Sequence, residues 1–237
     1  MDPSKQDDDD IPKSKKVRRR SSLSLPHPNI SDSSSEQEQR QDDSAELQAE
    51  PETSSQACKD SCQLTLDPNT VNRNLWLSEE NRKVEWHKEK QPYPHHPQRF
   101  QSVPQVLCTE GLSGTRCYWE IEWSGDWVVI GVAYKGIDKL GWGLSSGLGC
   151  NVNSWTLNCS GCSYTAWHNH SDTEISAQHS PRIGVYLDYP AGTLSFYRVS
   201  PDNIMTLLHR FQTTFTEPLY PAFKLDQGST VTICQLR

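Results

Sequence analysis

The sequence predicts an all-β protein: a two-sheet antiparallel β-sandwich preceded by a disordered N-terminal tail. Three observations lead to this prediction. Every Phe, Trp and Tyr lies in residues 58–237, among apolar residues that alternate with polar ones. Turn-forming residues interrupt this pattern roughly every 8 to 12 residues, as they do in sandwiches and barrels built from many short strands. No long segment shows the apolar repeat of about 3.6 residues that marks an amphipathic helix.

The tail, residues 1–57, differs in composition from the rest of the chain. It contains no Phe, Trp or Tyr, and it carries 8 Lys and Arg against 13 Asp and Glu. Such a segment cannot bury enough apolar surface to offset the entropy that ordering it would cost, so we expect it to be disordered. Residues 58–237 are enough to form one domain with its own core.

A basic run, KKVRRR at residues 15–20, precedes Ser21 and Ser22 in the tail. Such a run can act as a nuclear-import signal, and arginines just ahead of a serine suit a basophilic kinase. A phosphate there would add roughly −1.5 to −2 charges and weaken the basic run. The alternative is a solvated linker whose charges do nothing specific. Ser21 and Ser22 are therefore candidate modification sites.

The formal net charge of −7 and the pI of about 5.6 make the whole chain mildly acidic. A general nucleic-acid-binding protein needs a basic surface, so we expect no nucleic-acid partner. No apolar run reaches the roughly 18 residues of a membrane-spanning helix, so we expect no membrane partner.

The polar residues after Met1 do not resemble a secretory signal. If Met1 is the true start, we expect a cytoplasmic protein, or a nuclear one if the basic run acts in import. Cysteines are mostly reduced in those compartments, so we expect most of the 8 to be thiols. Cys108, Cys117 and Cys234 lie in or beside expected strands and are predicted to be buried thiols.

The clearest strand has the sequence YWEIEW at residues 118–123. Its Trp119, Ile121 and Trp123 point to one face of the expected sheet, and the two glutamates between them point to the other. Ser-Gly-Asp then turns the chain into a nearly continuous apolar strand at residues 127–134. These two strands are expected to form a hairpin.

A second hairpin joins residues 182–188 to residues 193–199 through the loop Tyr-Pro-Ala-Gly. In that loop Pro fixes φ and Gly tolerates a positive φ, as a tight turn requires. A short helical turn is expected near residues 69–74. Further strands are expected at residues 75–77, 83–86, 105–107, 155–158, 164–167, 206–211, 219–224 and 230–236.

Two series of short motifs follow one another along residues 58–237. The first series is LTLDPNT at 64–70, LWLS at 75–78, RF at 99–100 and VLC at 106–108. The second is YWEI at 118–121, GVAY at 131–134, NSW at 153–155, VYLDY at 185–189, GTLSFY at 192–197 and FTEPLYP at 215–221. Together they resemble the PRY–SPRY (B30.2) domain, with PRY at about 62–110 and SPRY at about 116–237. The pattern is most similar to the fish TRIM-like, NOD-like-receptor and stonustoxin-like versions.

The resemblance implies two antiparallel sheets, about 13 strands in total, packed face to face. Trp119 and Phe196 would point inward, and Asp188 would accept hydrogen bonds from the turn after it. It also implies a non-catalytic module that binds a protein partner through loops at one end of the sandwich, in an innate-immune or ubiquitin-related pathway. The ligase activity of many tripartite-motif (TRIM) proteins is not implied, because it resides in a zinc-binding RING domain and residues 1–57 contain no cysteine.

In TRIM relatives that bind an antibody Fc, contacts come from a run of Trp residues and from a Phe ahead of a Thr-x-Pro-Leu stretch. Here Trp155 and Phe215 match, whereas Asn158 and Ser160 stand at two of the aromatic positions. Aromatic side chains dominate many protein interfaces, so these replacements argue against antibody binding. All four residues are candidate partner-binding residues.

Asp126, in a turn, and His168, at a strand end, are further candidate partner-binding residues, and residues 136–142 form a candidate rim loop. Several candidates also have a structural interpretation. Trp155 and Phe215 are typical of core or rim aromatics, and His168 is typical of a hydrogen-bonded structural histidine.

Other functions fit parts of the sequence. A sensor of small phosphorylated ligands, as in butyrophilins, would use His168 and His170, but no Arg or Lys cluster accompanies them. The CxxC residues Cys159 and Cys162 could hold zinc with those histidines or form a redox pair, although His-x-His is not a typical zinc spacing.

A truncated fragment or decoy of a larger TRIM or NOD-like-receptor protein is a third interpretation. We expect no catalytic residue, no metal and no cofactor. Because no coiled coil precedes the sandwich, we expect a monomer.

Overall fold

The structure is a computed structural model, and it describes residues 51, 53–141 and 143–236. The candidate modification sites Ser21 and Ser22 and the basic run at residues 15–20 lie outside the described residues. Within the described part of the chain, no helix is long and apolar enough to cross a membrane.

The described chain is almost entirely β-structure, which confirms the predicted fold class. A helix, α1, spans Ser54–Ala57 and is followed by a 3-10 helix over Cys58–Asp60. The strands are β1 (Leu75–Ser78), β2 (Lys83–Trp86), β3 (Gln105–Leu107), β4 (Arg116–Ser124), β5 (Trp127–Tyr134), β6 (Ser154–Ser160), β7 (Tyr164–His168), β8 (Ser171–Ile175), β9 (Arg182–Asp188), β10 (Thr193–Val199), β11 (Met205–Gln212), β12 (Leu219–Leu225) and β13 (Thr230–Ile233).

Every strand expected from the sequence is present, and one further strand, β8, is added. The apolar pattern does not predict β8, because its sequence SDTEI is polar and largely exposed. The expected helical turn at residues 69–74 is instead a tight turn, in which the Asp67 carboxylate accepts the Asn69 N–H at 2.8 Å.

The strands form two antiparallel sheets. The seven-stranded sheet has the order β1-β2-β13-β4-β9-β10-β11, and the six-stranded sheet has the order β3-β12-β5-β6-β7-β8. The expected hairpin of β4 with β5 is wrong, because the turn between them crosses from one sheet to the other, whereas β9 and β10 pair as expected. Trp119 and Phe196 of the first sheet are buried in one cluster with Ile130 and Leu157 of the second. The main core therefore lies between the sheets, and the inward position of the two aromatics is confirmed.

Successive residues of the six-stranded sheet face opposite sides. On β5, Val128 and Ile130 belong to the core between the sheets, whereas Val129 and Ala133 pack with Leu148 on the outer face. Leu148 belongs to the chain between β5 and β6, which folds back over the sheet. A second, smaller apolar layer is therefore buried outside the sandwich.

The turn between β9 and β10 confirms the role expected for Asp188. One carboxylate oxygen accepts the Ala191 N–H at 3.0 Å, and the other accepts Arg116 Nε–H at 2.7 Å. Gly192 has a φ of +72°, and a side chain there would collide with the Thr213 carbonyl. The turn therefore requires glycine for both reasons.

An N-terminal arm, residues 53–62, packs against the seven-stranded sheet. Thr53 forms a β-bridge with Ile204 near one end of the arm, and Ser61 forms one with Tyr118 near the other. The described structure therefore includes a few residues that precede the domain boundary that composition suggests.

Glu120 shows the effect of the arm. It points away from Trp119, as the alternation predicts, but it is fully buried. Its carboxylate accepts a hydrogen bond from the Tyr118 hydroxyl at 2.7 Å and forms an ion pair with Arg182 Nε at 2.5 Å. Burial, and then the charge of Glu120, raise the pKa of the Cys58 thiol in the arm. Alternation thus predicts the face that Glu120 occupies but not the cover over it.

A disulfide between Cys62 and Cys117 ties the arm to β4, with 5.6 Å between the two Cα atoms. The prediction that Cys117 is a buried thiol is therefore wrong. The residues are 55 positions apart, and they meet because the Cys62 N–H donates to the Tyr118 carbonyl at 3.1 Å. The other six cysteines are thiols; Cys108 is buried as predicted, whereas Cys234 is only partly buried.

We expect replacement of Cys62 and Cys117 by serine to lower the free energy of unfolding by about 2–4 kcal/mol in oxidising buffer, because the crosslink restricts the unfolded chain. Denaturant unfolding followed by tryptophan fluorescence measures the change. In buffer with a dithiol reductant, the two proteins should unfold at the same denaturant concentration. A gap of the same size under reduction would show that the crosslink is not its cause.

Candidate functional site

The six candidate partner-binding residues lie in two separate places. One group lies between the sheets at the end of the sandwich where β5, β7 and β11 finish: Trp155, His168 and Phe215. The other group lies on the outer face of the six-stranded sheet or in the turns at the opposite end: Asp126, Asn158 and Ser160. The six residues were candidates for one partner-binding surface, but they occupy two separate parts of the domain.

Trp155 closes its end of the core. Its indole stacks on the His168 imidazole, with ring centroids 4.6 Å apart, and it meets the rings of Tyr134 and Phe215 edge to face at 5.2 and 5.4 Å. Only 4% of the Trp155 surface is exposed. We call these four rings the aromatic plug.

Hydrogen bonds hold the plug in place. His168 Nδ1 lies 2.8 Å from the Ser154 carbonyl oxygen, and the Tyr134 hydroxyl accepts the Thr216 N–H at 3.0 Å. This geometry agrees with the structural interpretation of the inward group. Direct contact between those residues and a partner stays a prediction.

A groove of about 550 Å³ lies beside the plug, between the β9–β10 and β11–β12 connections. Its lining includes Tyr189, Gln212 and Phe215, and none of the residues that line it is charged. Phosphate groups are usually bound by Arg or Lys side chains. The groove therefore lacks the basic pocket that a sensor of phosphorylated ligands would need.

Asn158 belongs to a row of residues that crosses the outer face of the six-stranded sheet. The row runs from Lys224 on β12 through Val129, Asn158 and Thr165 to Glu174 on β8. Asn158 is half-buried, and its Oδ1 atom is buried without a hydrogen-bond partner in the described chain. The row therefore contains unused hydrogen-bonding capacity.

Ser160 and Asp126 lie at the end of the sheet away from the aromatic plug. Ser160 pairs with Trp127, and its hydroxyl accepts the Ser163 N–H at 3.1 Å, which closes the turn between β6 and β7. Asp126 is exposed in the turn between β4 and β5. Ser160 thus has a local structural role, and the carboxylate of Asp126 faces solvent.

The connection between β5 and β6, residues 135–153, lies partly over the outer face, and we call it the outer loop. It contains the rim segment expected at residues 136–142, of which Trp142 lies outside the described residues. Ile137 and Leu148 of the outer loop are buried in the apolar layer on the sheet. Both halves of the outer loop are therefore anchored.

Side chains fix the first half of the outer loop. The Asp138 carboxylate accepts the N–H of Leu140 at 2.9 Å and the hydroxyl of Ser145 at 3.0 Å. Lys139 Nζ donates to the carbonyls of Lys135 at 2.8 Å and Ile137 at 2.7 Å. Burial lowers the pKa of Lys139 to about 8, although neighbouring Asp138 opposes this.

The second half of the outer loop is held by hydrogen bonds within the loop and by hydrogen bonds to Gln105 of β3. Asn151 Nδ2 donates to the Ser145 carbonyl at 3.2 Å and to the Gly147 carbonyl at 2.8 Å. The Gln105 side chain donates to the Ser146 carbonyl at 2.7 Å and accepts the Leu148 N–H at 2.8 Å. Hydrogen bonds thus restrain the described residues of the outer loop in both halves.

The described residues of the outer loop expose three large apolar side chains. Leu140, Leu144 and Val152 are 67%, 63% and 57% exposed. Large apolar residues that remain exposed on a restrained segment are typical of a surface that another protein covers. In the sequence, these three residues are apolar positions among Gly and Ser, outside any alternating strand. A search for strand patterns alone therefore does not find them.

The CxxC cysteines and the two histidines do not form one site. Cys159 points into the core, where burial raises its pKa well above the ordinary value, and Cys162 is exposed beyond the end of β6. His168 and His170 lie at the opposite end of β7. Among the described residues, no group of three or more His, Cys, Asp or Glu side chains could hold a metal ion.

Comparison with protein families gives two adjacent matches. The SPRY-associated domain (PRY) matches residues 64–112, and the SPRY domain matches residues 116–236. The chain therefore belongs to the PRY–SPRY family, as the motifs predict. SPRY domains are protein-interaction modules, and the family is not known as catalytic.

Two relatives illustrate the range of proteins that carry this domain. Tripartite motif-containing protein 16 of Mus musculus is 40% identical over 182 residues, which are 75% of this chain and 32% of the relative. Stonustoxin subunit beta of Synanceia horrida is 47% identical over 170 residues, which are 70% of this chain and 24% of the relative. The chain thus spans about a quarter to a third of these relatives.

Solved structures have the same fold. The crystal structure of the TRIM65 PSpry domain is 29% identical and has a TM-score of 0.72, covering 77% of this chain and 95% of that one. The stonustoxin structure is 36% identical with a TM-score of 0.68, covering 74% of this chain and 29% of that one.

The two groups of candidate residues should respond differently to truncation. We expect Trp155→Ala to lower the free energy of unfolding by about 3–5 kcal/mol, because it removes the central ring of the aromatic plug and leaves a cavity. Asn158→Ala should change it by less than about 0.5 kcal/mol, since the Asn158 side-chain oxygen has no hydrogen-bond partner in the described chain. Denaturant unfolding of both variants checks this; equal losses would contradict the division into plug and outer face.

Lys139 should make stability depend on pH. Its pKa of about 8 in the folded chain lies below the ordinary value of 10.5. Between about pH 8 and pH 10.5 the unfolded chain therefore binds more protons at this residue, so its contribution to stability should rise with pH in that window. Unfolding of the wild type and of Lys139→Met across the window measures the contribution. Parallel pH profiles for the two proteins would contradict the lowered pKa.

Proposed function

We propose that this chain is a non-catalytic protein-recognition domain whose partner covers the outer loop and the neighbouring outer face of the six-stranded sheet. The observation that carries the proposal is the exposure of Leu140, Leu144 and Val152 on a hydrogen-bonded loop. Burial of each side chain by a partner would remove apolar surface from water, which favours association.

The restraint of the outer loop strengthens the proposal. A mobile loop loses conformational entropy when a partner orders it, and this loss weakens binding. Here Asp138, Lys139 and Asn151 already hold the backbone through hydrogen bonds. The outer loop therefore loses little further conformational entropy when a partner binds.

Membership of the PRY–SPRY family supports a protein partner over other ligands. Loops on a rigid frame can change sequence without unfolding the frame, so partner choice can vary between members. On the family resemblance alone, we extend the proposal to a partner in an innate-immune or ubiquitin-related pathway. The neutral groove beside the aromatic plug favours this function over a sensor of phosphorylated ligands.

Replacing Leu140, Leu144 and Val152 together by serine should abolish partner binding while leaving the melting temperature nearly unchanged, since all three side chains are exposed. Proximity labelling in cells with the full chain measures the loss. We expect a set of proteins labelled by the wild type to be missing from the triple variant.

A matched control replaces two other exposed apolar residues by serine: Ile204, just before β11, and Leu207, on β11. This variant should keep the labelled set. If the triple variant labels the same proteins as the wild type, the outer loop is not the binding surface.

A further inference from the structure

Lys224 stands on the same outer face as the outer loop. Its neighbours along β12, Phe223 and Leu225, point into the core, so the Lys224 side chain points outward. It pairs with Val129, and Val129 pairs with Asn158. Two strand spacings of roughly 4.8 Å place the backbones of Lys224 and Asn158 about 10 Å apart, with the buried Val129 between them.

The Lys224 ammonium is held in a partly dehydrated position. Its Nζ atom lies 4.7 Å from the centroid of the Trp127 ring, which restricts the direction of the side chain. Burial lowers the pKa of Lys224, and neighbouring Cys150 and Asp226 only partly oppose this. No carboxylate of the described chain lies within 4.0 Å of it, so its charge is left without an ion pair there.

Asn158 supplies a second polar group on the far side of Val129. Its Oδ1 atom is buried without a hydrogen-bond partner in the described chain. A buried polar group that stays unpaired costs free energy. Oδ1 can only accept, so a carboxylate would leave it unpaired; the group that Asn158 offers a carboxylate is the Nδ2 donor of the same amide.

Resting on the proposed function, we propose that Lys224 and Asn158 bind the carboxylate of an Asp or Glu side chain presented by the protein partner. Lys224 would donate to one oxygen over the Trp127 ring, and the amide of Asn158 would donate to the other. The outer loop would bind apolar residues of the same partner, and the acidic residue would fix the position of that partner along the outer face.

The charges favour a carboxylate over a phosphate. One ammonium balances one carboxylate, whereas a phosphate of about −1.5 to −2 charges is usually met by several cations. The nearby charge that acts on Lys224 is Asp226, a carboxylate that would repel a doubly charged ligand more strongly. Charge-assisted hydrogen bonds in a partly dehydrated setting change binding by about tenfold or more.

Two displayed libraries of random peptides test the proposal on the purified full chain. The libraries differ only at one central residue, which is Glu in one and the isosteric Gln in the other. We expect the wild type to retain the Glu library about tenfold better than the Gln library. Lys224→Met should retain the two equally, while the control Lys88→Met, which removes an exposed lysine beyond β2, should behave as the wild type.

The outcomes separate this inference from the proposed function. If the wild type retains both libraries equally, and the triple serine variant of the outer loop loses both, the acidic anchor is wrong and the recognition surface stands. If Lys224→Met keeps the preference for Glu, the anchor is also wrong. If the wild type retains no peptide better than the triple variant does, the proposed function fails and this inference fails with it.

Discussion

The packing of the aromatic plug between the two sheets is the constraint on which the proposed recognition surface depends. β5 ends at Tyr134 and β6 begins at Ser154, so the two ends of the outer loop emerge from the plug. Trp155 contacts Tyr134 and His168 from its own sheet and Phe215 from the connection between β11 and β12. Loss of this packing would displace both ends of the loop and with them its exposed side chains.

Much of the frame could be predicted from sequence, because strand alternation is a local property. Val128, Ile130 and the other inward residues of each strand are apolar, and the turns between strands contain the residues that tight turns require. β8 could not be predicted, since as an edge strand it buries little and carries no apolar signal. The disulfide of Cys62 with Cys117 could not be predicted either, because the arm brings together residues 55 positions apart.

The candidate site was harder to predict, because residues that are adjacent in sequence lie on opposite faces of the sheet. Residues 155–160 read as a single binding segment, yet alternation along β6 turns Trp155 into the core and Asn158 onto the outer face. Lys224 joins Asn158 only through the order of β12, β5 and β6 in the sheet. Sequence motifs identify the frame, but neighbours across strands follow from topology.

The same sandwich can carry different surfaces, because the inward residues of its strands form the core and the outward residues do not. The TRIM65 domain has the same fold at 29% identity, so most side chains can differ while the fold is kept. On this chain, Lys224 and Glu174 stand at opposite ends of one row, four strand spacings or about 19 Å apart. A partner with its acidic residue near Glu174 would meet like charge, which disfavours that orientation. On the proposed surface, the charges at the two ends of the row would therefore set the orientation of a partner as well as its contacts.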